Sequence, residues 1–513
     1  MSGAELDRRQ FLAGASALAG GLMAVEAARP KLAFAAPAPA YDDLTELTLA
    51  QTATLIRRRK VSSEEVVRAH LERIERFEGV YMAFNTVLAE QALARARALD
   101  RLRGHVGALH GVPIVVKDNY WTKGVETTAN SYIFEGFVPT EDATCVARLL
   151  REGAVILGKT QMGPLATTRA TTPDGEVTTV NAWAPNNPSY DPGGSSSGSA
   201  TATAGRLACS SIGTQTGGSI TSPSNQQGLT GLKPTLGRTS IYGVIPLTYS
   251  RDHAGPLARD ALDAAIMTQV MAGPDPRDPR TQGLPRVPDL VEAAERGVRR
   301  GRVTLGVPPG YVSGTSATAL ARAAMLAELT RVGVRVKEVT LPEDWNLLTG
   351  GAFNNVRLPE RTEPFLPYLK QDLKLFGVSL NSWMQGLFLS GDEWVKGQRA
   401  KHVLLTCVLD ELFSQCDAVL QTSPVPFDII GLPEIAFPIG FQPHAASGRE
   451  VPIGAIIGGL PYAEDRLLAL AGAYQAATDW HRRRPADPAP AAAARALSGR
   501  PRLSAEEVEV LTQ

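Results

Sequence analysis

Two spacings of apolar residues alternate along this chain. In the first, apolar residues recur every three or four positions, as on one face of a helix. Such a helix begins at Ser62, where Glu65 completes a capping box and Val67, Leu71 and Ile74 form the apolar face. The same spacing predicts helices at about 47–59, 86–103, 140–152, 317–332 and 463–481.

The second spacing is a short, mostly apolar run, which is typical of a buried strand. Such runs occur at 112–116, 154–157, 209–212 and 303–307, and a further strand is expected at 334–338. Because helices and strands alternate, we expect an α/β fold built in layers. The stretch 275–300, which is rich in Pro, Arg and Asp, is predicted to be a long connection.

Composition excludes some classes of function. The 513 residues are 44% apolar and 20% charged, which is enough apolar material for a large packed core. The formal net charge is zero, so the chain lacks the basic footprint of a nucleic-acid-binding protein. Its four cysteines form no C-x-x-C pair and have no His cluster beside them, so we expect no metal site. They could form two disulfides or remain scattered buried thiols: Cys145, Cys209, Cys407 and Cys416.

The first 36 residues have the pattern of a targeting segment. Arg8 and Arg9 precede a weakly apolar stretch, and Ala33-Phe34-Ala35 then forms an A-x-A cleavage pattern. We therefore interpret residues 1–36 as a signal peptide of the twin-arginine type, which would deliver a folded protein to the periplasm or the medium. A fortuitous amphipathic segment is the alternative. The apolar stretch is too short for a stable membrane span.

The remaining chain divides into three parts. Residues 37–43 are predicted to be a Pro/Ala linker and 44–481 the folded domain. Residues 482–513 form a Pro/Ala-rich tail, which we predict to be mobile and in which 504–511 could form a short helix.

Residues 193–223 are the most unusual stretch of the chain. They read GGSSSGSATATAGRLACSSIGTQTGGSITSP, with Ser and Gly at both ends and small residues between them. A flexible linker would not continue directly into a helix of small residues and a strand. Neither G-x-x-x-x-G-K-[ST] nor a dinucleotide fingerprint is present, so a phosphate or nucleotide cofactor is not indicated. Catalysis by a serine nucleophile is the third possibility.

A serine nucleophile needs a base nearby. None of the seven histidines lies in a motif that pairs it with a serine, and the G-x-S-x-G elbow is absent. A lysine can act instead when burial keeps its amine neutral. Lys117 ends the strand predicted at 112–116 and is placed for this role, although a solvated charge is the ordinary interpretation of such a lysine.

Two groups of motifs carry a resemblance to a known family. The blocks GGSSSGS (193–199), GTQTGGSI (213–220) and LKPTLGR (232–238) are similar to the central motif of the amidase signature family, and GVPIVVKDN (111–119) is similar to its lysine motif. Further matches are GAVILGKT (153–160), Asp252 to Pro256, GLPEIAFPIGF (431–441) and VPIGAIIGG (451–459). The resemblance implies a single large domain over 44–481, with a mixed sheet flanked by helices on both faces.

The resemblance also implies a catalytic triad. Ser219 falls on the nucleophile, Ser195 on a bridging serine that follows a cis peptide bond, and Lys117 on the base. The two serines are 24 residues apart, which is the spacing of the family. The implied reaction is hydrolysis of a small-molecule carboxylic amide to an acid and ammonia or an amine, through an acyl-Ser219 intermediate and without a cofactor.

Two further roles follow from the same resemblance. The backbone N–H groups of Thr216, Gly217, Gly218 and Ser219 are expected to form an oxyanion hole. Ser196 is expected to support the triad with a hydrogen bond. Such donors stabilise the negative oxygen that develops when the carbonyl is attacked.

The chain departs from the family pattern at two places. The signature usually carries an acid where Gln215 stands and often an arginine where Thr221 stands. After GKT, the family often has Asn-x-x-Glu-Phe, whereas this chain has Gln161, Pro164 and Leu165 at those positions. In relatives that loop borders the pocket, so the substrate of a relative does not transfer to this chain.

Other functions remain open on the sequence. The same acyl-enzyme chemistry serves an esterase or an acyl transferase. An amidotransferase component that supplies ammonia to a tRNA-linked partner is disfavoured by the export signal, and a non-catalytic binding protein by the three filled triad positions. A homo-oligomer is possible. Aromatic residues at 340–430 either line an apolar acyl pocket or fill the core: Trp345, Phe353, Phe365, Tyr368, Trp383, Phe388 and Trp394.

Overall fold

One β-sheet forms the centre of the fold. The computed structural model describes residues 43–351, 354–444 and 448–489, and within them eleven strands form a single mixed sheet. The strands are β1 (Phe84–Val87), β2 (Pro113–Lys117), β3 (Val155–Thr160), β4 (Ser210–Gln215), β5 (Thr230–Lys233), β6 (His253–Ala258), β7 (Thr304–Val307), β8 (Arg335–Glu338), β9 (Ala418–Gln421), β10 (Glu434–His444) and β11 (Arg449–Gly459). Their order is β1-β3-β2-β4-β6-β5-β10-β11-β9-β7-β8.

The helices form layers on the sheet. They are α1 (Leu49–Arg57), α2 (Ser63–Tyr81), α3 (Ala89–Asp100), α4 (Thr144–Arg151), α5 (Ser197–Ala204), α6 (Thr221–Gln227), α7 (Ala261–Met271), α8 (Leu290–Arg296), α9 (Ala317–Arg331), α10 (Trp345–Thr349), α11 (Asn354–Thr362), α12 (Leu366–Gln371), α13 (Leu380–Gln385), α14 (Gly391–Cys407), α15 (Val425–Ile430) and α16 (Glu464–Ala477). The predicted α/β fold, with a mixed sheet and flanking helices in one large domain, is confirmed.

The predicted start of α2 is correct in detail. The backbone N–H of Glu65 donates to Oγ of Ser62 (3.1 Å), and the Glu65 carboxylate accepts from the Ser62 N–H (2.6 Å), which completes the capping box. Val67 and Ile74 of the apolar face are buried against the core. The local pattern was sufficient here because both ends of the interaction lie within four residues.

Two predicted segments differ from the structure. The helix expected at 86–103 begins only at Ala89, because Phe84–Val87 pairs with β3 at the edge of the sheet. The long connection expected at 275–300 contains α8, whose first turn is capped by Asp289. In both cases a partner distant in sequence determines the outcome: β3 for the first segment, and α7 and α16, which pack on α8, for the second.

The strands around Lys117 position the site. β2 runs parallel to β3 on one side and to β4 on the other, and all three strands are fully buried. Helix α5 packs on β2, β3 and β4. It can do so because it contains only Ser, Gly, Ala and Thr; a Cβ on Gly198 would lie 2.3 Å from the carbonyl oxygen of Ala83. Because β2 and β4 are parallel neighbours, their carboxyl ends lie side by side at one edge of the sheet, beside the start of α5.

The structure shows where the folded chain ends and in which state the cysteines are. Asp487 forms ion pairs with Arg73 and Arg206, so the described chain is held against α2 beyond position 481. The proposed signal peptide, the linker up to 42 and the helix suggested at 504–511 lie outside the described residues. All four cysteines carry free thiols. In the described part of the chain, no helix has both the length and the apolar character to cross a bilayer.

Candidate active site

The structure brings the three predicted catalytic segments to one edge of the sheet. Lys117 ends β2, Ser195 precedes α5, and Ser219 lies between β4 and α6. The loop of Ser195 packs against the helix that follows Ser219, since a Cβ on Gly193 would lie 2.4 Å from Cα of Pro223. Ligands of α/β proteins bind outside the carboxyl ends of the strands, which is where these residues lie.

Lys117 is fully buried, and among the described residues its amine hydrogen-bonds to hydroxyl groups only. Its Nζ lies 2.7 Å from Oγ of Ser195 and 2.8 Å from Oγ1 of Thr214. Asn119 also donates to Oγ1 of Thr214 (3.1 Å), which fixes that hydroxyl beside the amine. Burial lowers the pKa of Lys117 to about 7, and the negative charge of Asp252 partly opposes this effect. The neutral amine is thus accessible at ordinary pH.

Two other fully buried lysines show what distinguishes Lys117. Nζ of Lys159 lies 3.0 Å from Oδ1 of Asp118, and Nζ of Lys233 lies 3.1 Å from Oε2 of Glu434. Among the described residues, no carboxylate comes within 4.0 Å of Lys117. Burial lowers the pKa of Lys159 as well, but the charge of Asp118 opposes this effect. A carboxylate partner stabilises the charged ammonium, so Lys117, which has none, is the best suited of the three to act as a neutral base.

Ser195 follows a cis peptide bond, as the resemblance implies. The cis bond joins Gly194 to Ser195. Gly194 is confined by the neighbouring loop, because a Cβ there would lie 2.6 Å from Cα of Arg169. The next residue, Ser196, donates from Oγ to the carbonyl of Thr214 (3.3 Å) and so joins this loop to the end of β4.

Ser219 is 6% exposed and is preceded by a loop with unused donors. Within the described residues, the backbone N–H groups of Thr216, Gly217, Gly218 and Ser219 donate to no protein acceptor. Gly218 has φ +97°, which favours glycine, and a Cβ on Gly217 would meet nothing within 4 Å. Open space therefore lies beside a loop whose N–H groups are available to an anionic oxygen. Oγ of Ser219 itself makes no hydrogen bond to a described residue.

Three polar residues near the site were not assigned roles from the sequence. Thr214 and Asn119 lie within the matched motifs, and their contact with each other or with Lys117 depends on side-chain directions that a motif does not give. Asp252 lies in a further matched segment. Its Oδ1 accepts from Oγ1 of Thr216 (2.5 Å), and its Oδ2 accepts from the N–H of Leu247 (2.8 Å). Asp252 thus holds the first residue of the donor loop.

The loop at 161–165 borders the site and is apolar from Met162 to Leu165. The N–H of Gly163 donates to the carbonyl of Ser195 (3.1 Å). Leu165 adopts a left-handed conformation (φ +49°) and belongs to a buried apolar cluster that also contains Phe365 and Trp383. These two aromatic residues are therefore core residues that back the loop, while Phe388 is 77% exposed. Among the described residues, no group of three or more His, Cys, Asp or Glu side chains could hold a metal ion.

Comparison with known proteins identifies the family. A family model described as Amidase matches residues 65–354, which is more than half of the chain.

The chain belongs to the amidase family.

The match to its curated relatives covers nearly their whole length. The A subunit of glutamyl-tRNA(Gln) amidotransferase from Dehalococcoides mccartyi is 34% identical over 502 residues, which cover 86% of this chain and 99% of that protein. The protein of the same name from Methylococcus capsulatus is 35% identical over 495 residues, which cover 86% of this chain and 98% of that protein. This amidase-family chain is therefore an amide-hydrolysing enzyme or an amidotransferase component.

Solved structures support the same assignment. A peptide amidase in complex with the competitive inhibitor chymostatin has a TM-score of 0.72 and 28% identity, over 86% of this chain and 99% of that chain. A native peptide amidase from Stenotrophomonas maltophilia has a TM-score of 0.72 and 26% identity, over 88% of this chain and all of that chain. The fold of the amidase family thus extends over nearly the whole described region.

Proposed function

We propose that this amidase-family chain hydrolyses carboxylic amides of small molecules through a covalent acyl-Ser219 intermediate. The observation that carries the proposal is the 2.7 Å contact between Nζ of Lys117 and Oγ of Ser195, in surroundings that lower the pKa of the lysine to about 7. It is further supported by the four backbone N–H groups that lie unused beside Ser219.

The first half of the reaction forms the acyl enzyme. Neutral Lys117 takes the proton of Ser195, and Ser195 takes the proton of Ser219 as Oγ of Ser219 attacks the amide carbonyl carbon. The carbonyl oxygen becomes negative, and the N–H groups of 216–219 can donate to it. Removing one such donor typically costs about 2.7–4 kcal/mol of barrier. The C–N bond then breaks as the proton returns from Lys117 through Ser195 to the leaving nitrogen.

The second half releases the acid. Water replaces the departed amine, gives a proton to Lys117 through Ser195 and attacks the acyl carbon. The tetrahedral intermediate collapses, the bond to Oγ of Ser219 breaks, and Ser219 recovers its proton. The same two steps would cleave an ester, so we expect esterase activity as a side reaction.

An amidotransferase component is the second candidate. It is favoured by the 34% identity to the A subunit of glutamyl-tRNA(Gln) amidotransferase over nearly the full length of that protein. The likeness to peptide amidases over 86–88% of the chain favours the hydrolase. The twin-arginine pattern at 8–12 also favours a chain that acts outside the cytoplasm, and we propose that it is exported to the periplasm or the medium.

A release assay separates these candidates. The purified chain is incubated with glutamine and with short aliphatic, aryl and peptide amides, and ammonia or amine is measured for the wild type and for Ser219→Ala. The hydrolase proposal predicts release from at least one amide other than glutamine, and no release by the Ser219→Ala variant. Release from glutamine alone would favour the amidotransferase component, and equal release by both proteins would contradict the nucleophile.

A further inference from the structure

A fully buried polar network lies behind the loop that carries Ser219. It consists of Gln215, Lys233, Asp428 and Glu434, none of which has exposed surface. Nζ of Lys233 lies 3.3 Å from Oδ1 of Asp428 and 3.1 Å from Oε2 of Glu434. Nε2 of Gln215 donates to Oδ1 of Asp428 (2.9 Å) and to Oε2 of Glu434 (3.0 Å). The network therefore joins the end of β4 to β5, α15 and β10.

The other end of the Gln215 amide reaches the nucleophile loop. Oε1 of Gln215 accepts from the backbone N–H of Ile220 (2.8 Å) and of Thr221 (2.9 Å). These are the two residues that directly follow Ser219. One side chain thus connects the buried network to the backbone on which the proposed nucleophile stands.

We propose that Gln215 is a positioning residue, whose amide fixes the backbone after Ser219 and thereby aims its Oγ and the neighbouring N–H donors at the substrate carbonyl. The proposal rests on the acyl-Ser219 chemistry given above. Gln215 touches no reacting atom, so its effect passes through Ile220 and Thr221. A change of about 1 Å at a remote residue can cost about 100-fold in rate, because attack requires a narrow range of geometry.

The hydrogen-bonding needs of the groups at the two ends of the Gln215 side chain explain why an amide occupies this position. The backbone N–H groups of Ile220 and Thr221 need an acceptor, whereas Asp428 and Glu434 need a donor, and an amide supplies both. A carboxylate would serve the first end but would place a further negative charge beside two acids and one lysine, where burial already raises the pKa of Glu434 to about 8. In these surroundings an ionised acid would therefore lose the hydrogen bonds that the Gln215 amide donates to Asp428 and Glu434.

The first test compares two buried glutamines. Gln227 lies on α6 and makes a similar bridge: its Oε1 accepts from the N–H of Ala182 (3.1 Å), and its Nε2 donates to Thr201 (2.8 Å). It lies at the far end of the helix from Ser219. Acylation by 4-nitrophenyl acetate is measured as the burst of nitrophenolate from folded Gln215→Leu and Gln227→Leu proteins, with the wild type and Ser219→Ala alongside.

The expected result distinguishes a role of Gln215 in positioning Ser219 from a role in stability alone. Gln215→Leu should slow the burst by about 100-fold with little change in the ester concentration at half-maximal rate, whereas folded Gln227→Leu should keep the wild-type burst. A wild-type burst from folded Gln215→Leu overturns the positioning proposal alone. If the wild type releases nitrophenolate no faster than Ser219→Ala, in the burst and in the steady state, the proposed function fails instead.

A second variant covers the case in which Gln215→Leu does not fold. Gln215→Glu has nearly the same shape. The groups that face it are Asp428 from α15, Glu434 from β10, Lys233 from β5 and His253 from β6, whose Nδ1 lies 3.3 Å from the Gln215 carbonyl. The two acids raise the pKa of an introduced carboxyl, so at low pH it can still accept at one end and donate at the other.

The prediction for this variant concerns its burst rate relative to that of the wild type. The burst rate of Gln215→Glu divided by that of the wild type should fall as pH rises and the introduced carboxyl ionises, while the dependence on Lys117 cancels. Circular dichroism at each pH shows whether the variant remains folded. A ratio that stays close to one at every pH in folded protein would mean that the amide does not position the loop and would overturn the proposal.

Discussion

At the scale of the residue, burial acts on Lys117 in two opposite ways. It makes the lysine an available base, since the pKa falls to about 7. It also opposes folding, because the unfolded chain holds the proton up to the ordinary pKa of 10.5. The unfolded state thus binds more protons than the folded state between these two values, and the free energy of unfolding rises with pH through this window.

The first prediction concerns the pH profile. Since the neutral amine is the active form, kcat/KM for an amide or ester should rise with pH through about 7 and level off above it. Lys117→Arg keeps a permanent charge and should be nearly inactive at every pH. A profile that is flat from about pH 5 to 9 in the folded wild type would contradict the role of Lys117.

The same residue gives a prediction on stability. Lys117→Met removes a buried amine that takes up a proton on unfolding, so it should raise the free energy of unfolding. The gain should be largest below pH 7 and should disappear as the pH approaches 10.5. Urea unfolding at a series of pH values measures it. A gain that grows with pH would mean that the pKa of Lys117 is not lowered in the folded protein.

The triad positions could be predicted from motifs, but their surroundings could not. Neither the hydroxyl pair that holds Lys117 nor the amide bridge of Gln215 follows from a motif, because each depends on side chains from separate strands. Gln215 was visible as a departure from the family pattern. Its partners Asp428 and Glu434 lie more than 200 residues away in the chain, and only the folded sheet brings them together.

At the scale of the element, the sequence predicts elements that depend on local interactions better than elements that depend on pairing with a distant segment. The capping box of α2 is a local interaction, and its position was predicted correctly. The last two residues of the strand Phe84–Val87 fall within the helix predicted at 86–103, because four residues carry little periodicity and their extended form depends on β3. The start of α16 is held by a distant contact of the same kind, between Glu464 and Arg238.

That contact gives a prediction on stability. Oε2 of Glu464 accepts from Nε of Arg238 (3.2 Å) and Oε1 accepts from the N–H of Thr235 (2.8 Å), with both ionic side chains buried. Glu464→Gln leaves the Arg238 charge without its carboxylate and should lower the free energy of unfolding by about 3–5 kcal/mol.

A surface pair provides the control for this change. Lys396 and Asp392 lie 3.0 Å apart with 70% and 68% of their side chains exposed. Lys396→Gln should leave the urea midpoint unchanged, since solvent screens such pairs. Equal midpoints for Glu464→Gln and the wild type would show that the buried pair contributes nothing to stability.

At the scale of the whole molecule, the folded domain determines the family and the fold. The proposed route of export depends instead on the first 36 residues. A twin-arginine signal is read through its two arginines. The double variant Arg8→Lys/Arg9→Lys should therefore remain inside the cytoplasm when cells are fractionated, whereas the wild type should be found outside it. Release of the double variant in the same amount would contradict this route.

The central claim for the whole molecule is that Ser219 becomes acylated with the help of Lys117. The most direct measurement is acid quenching of the enzyme during turnover of 4-nitrophenyl acetate, followed by digestion and mass spectrometry of the peptide that contains Ser219. We predict an added acetyl group on Ser219 in the wild type and in Ser222→Ala, its near absence in Lys117→Ala, and none in Ser219→Ala. Turnover by the wild type with no adduct on Ser219, or wild-type turnover by Ser219→Ala, would contradict this claim.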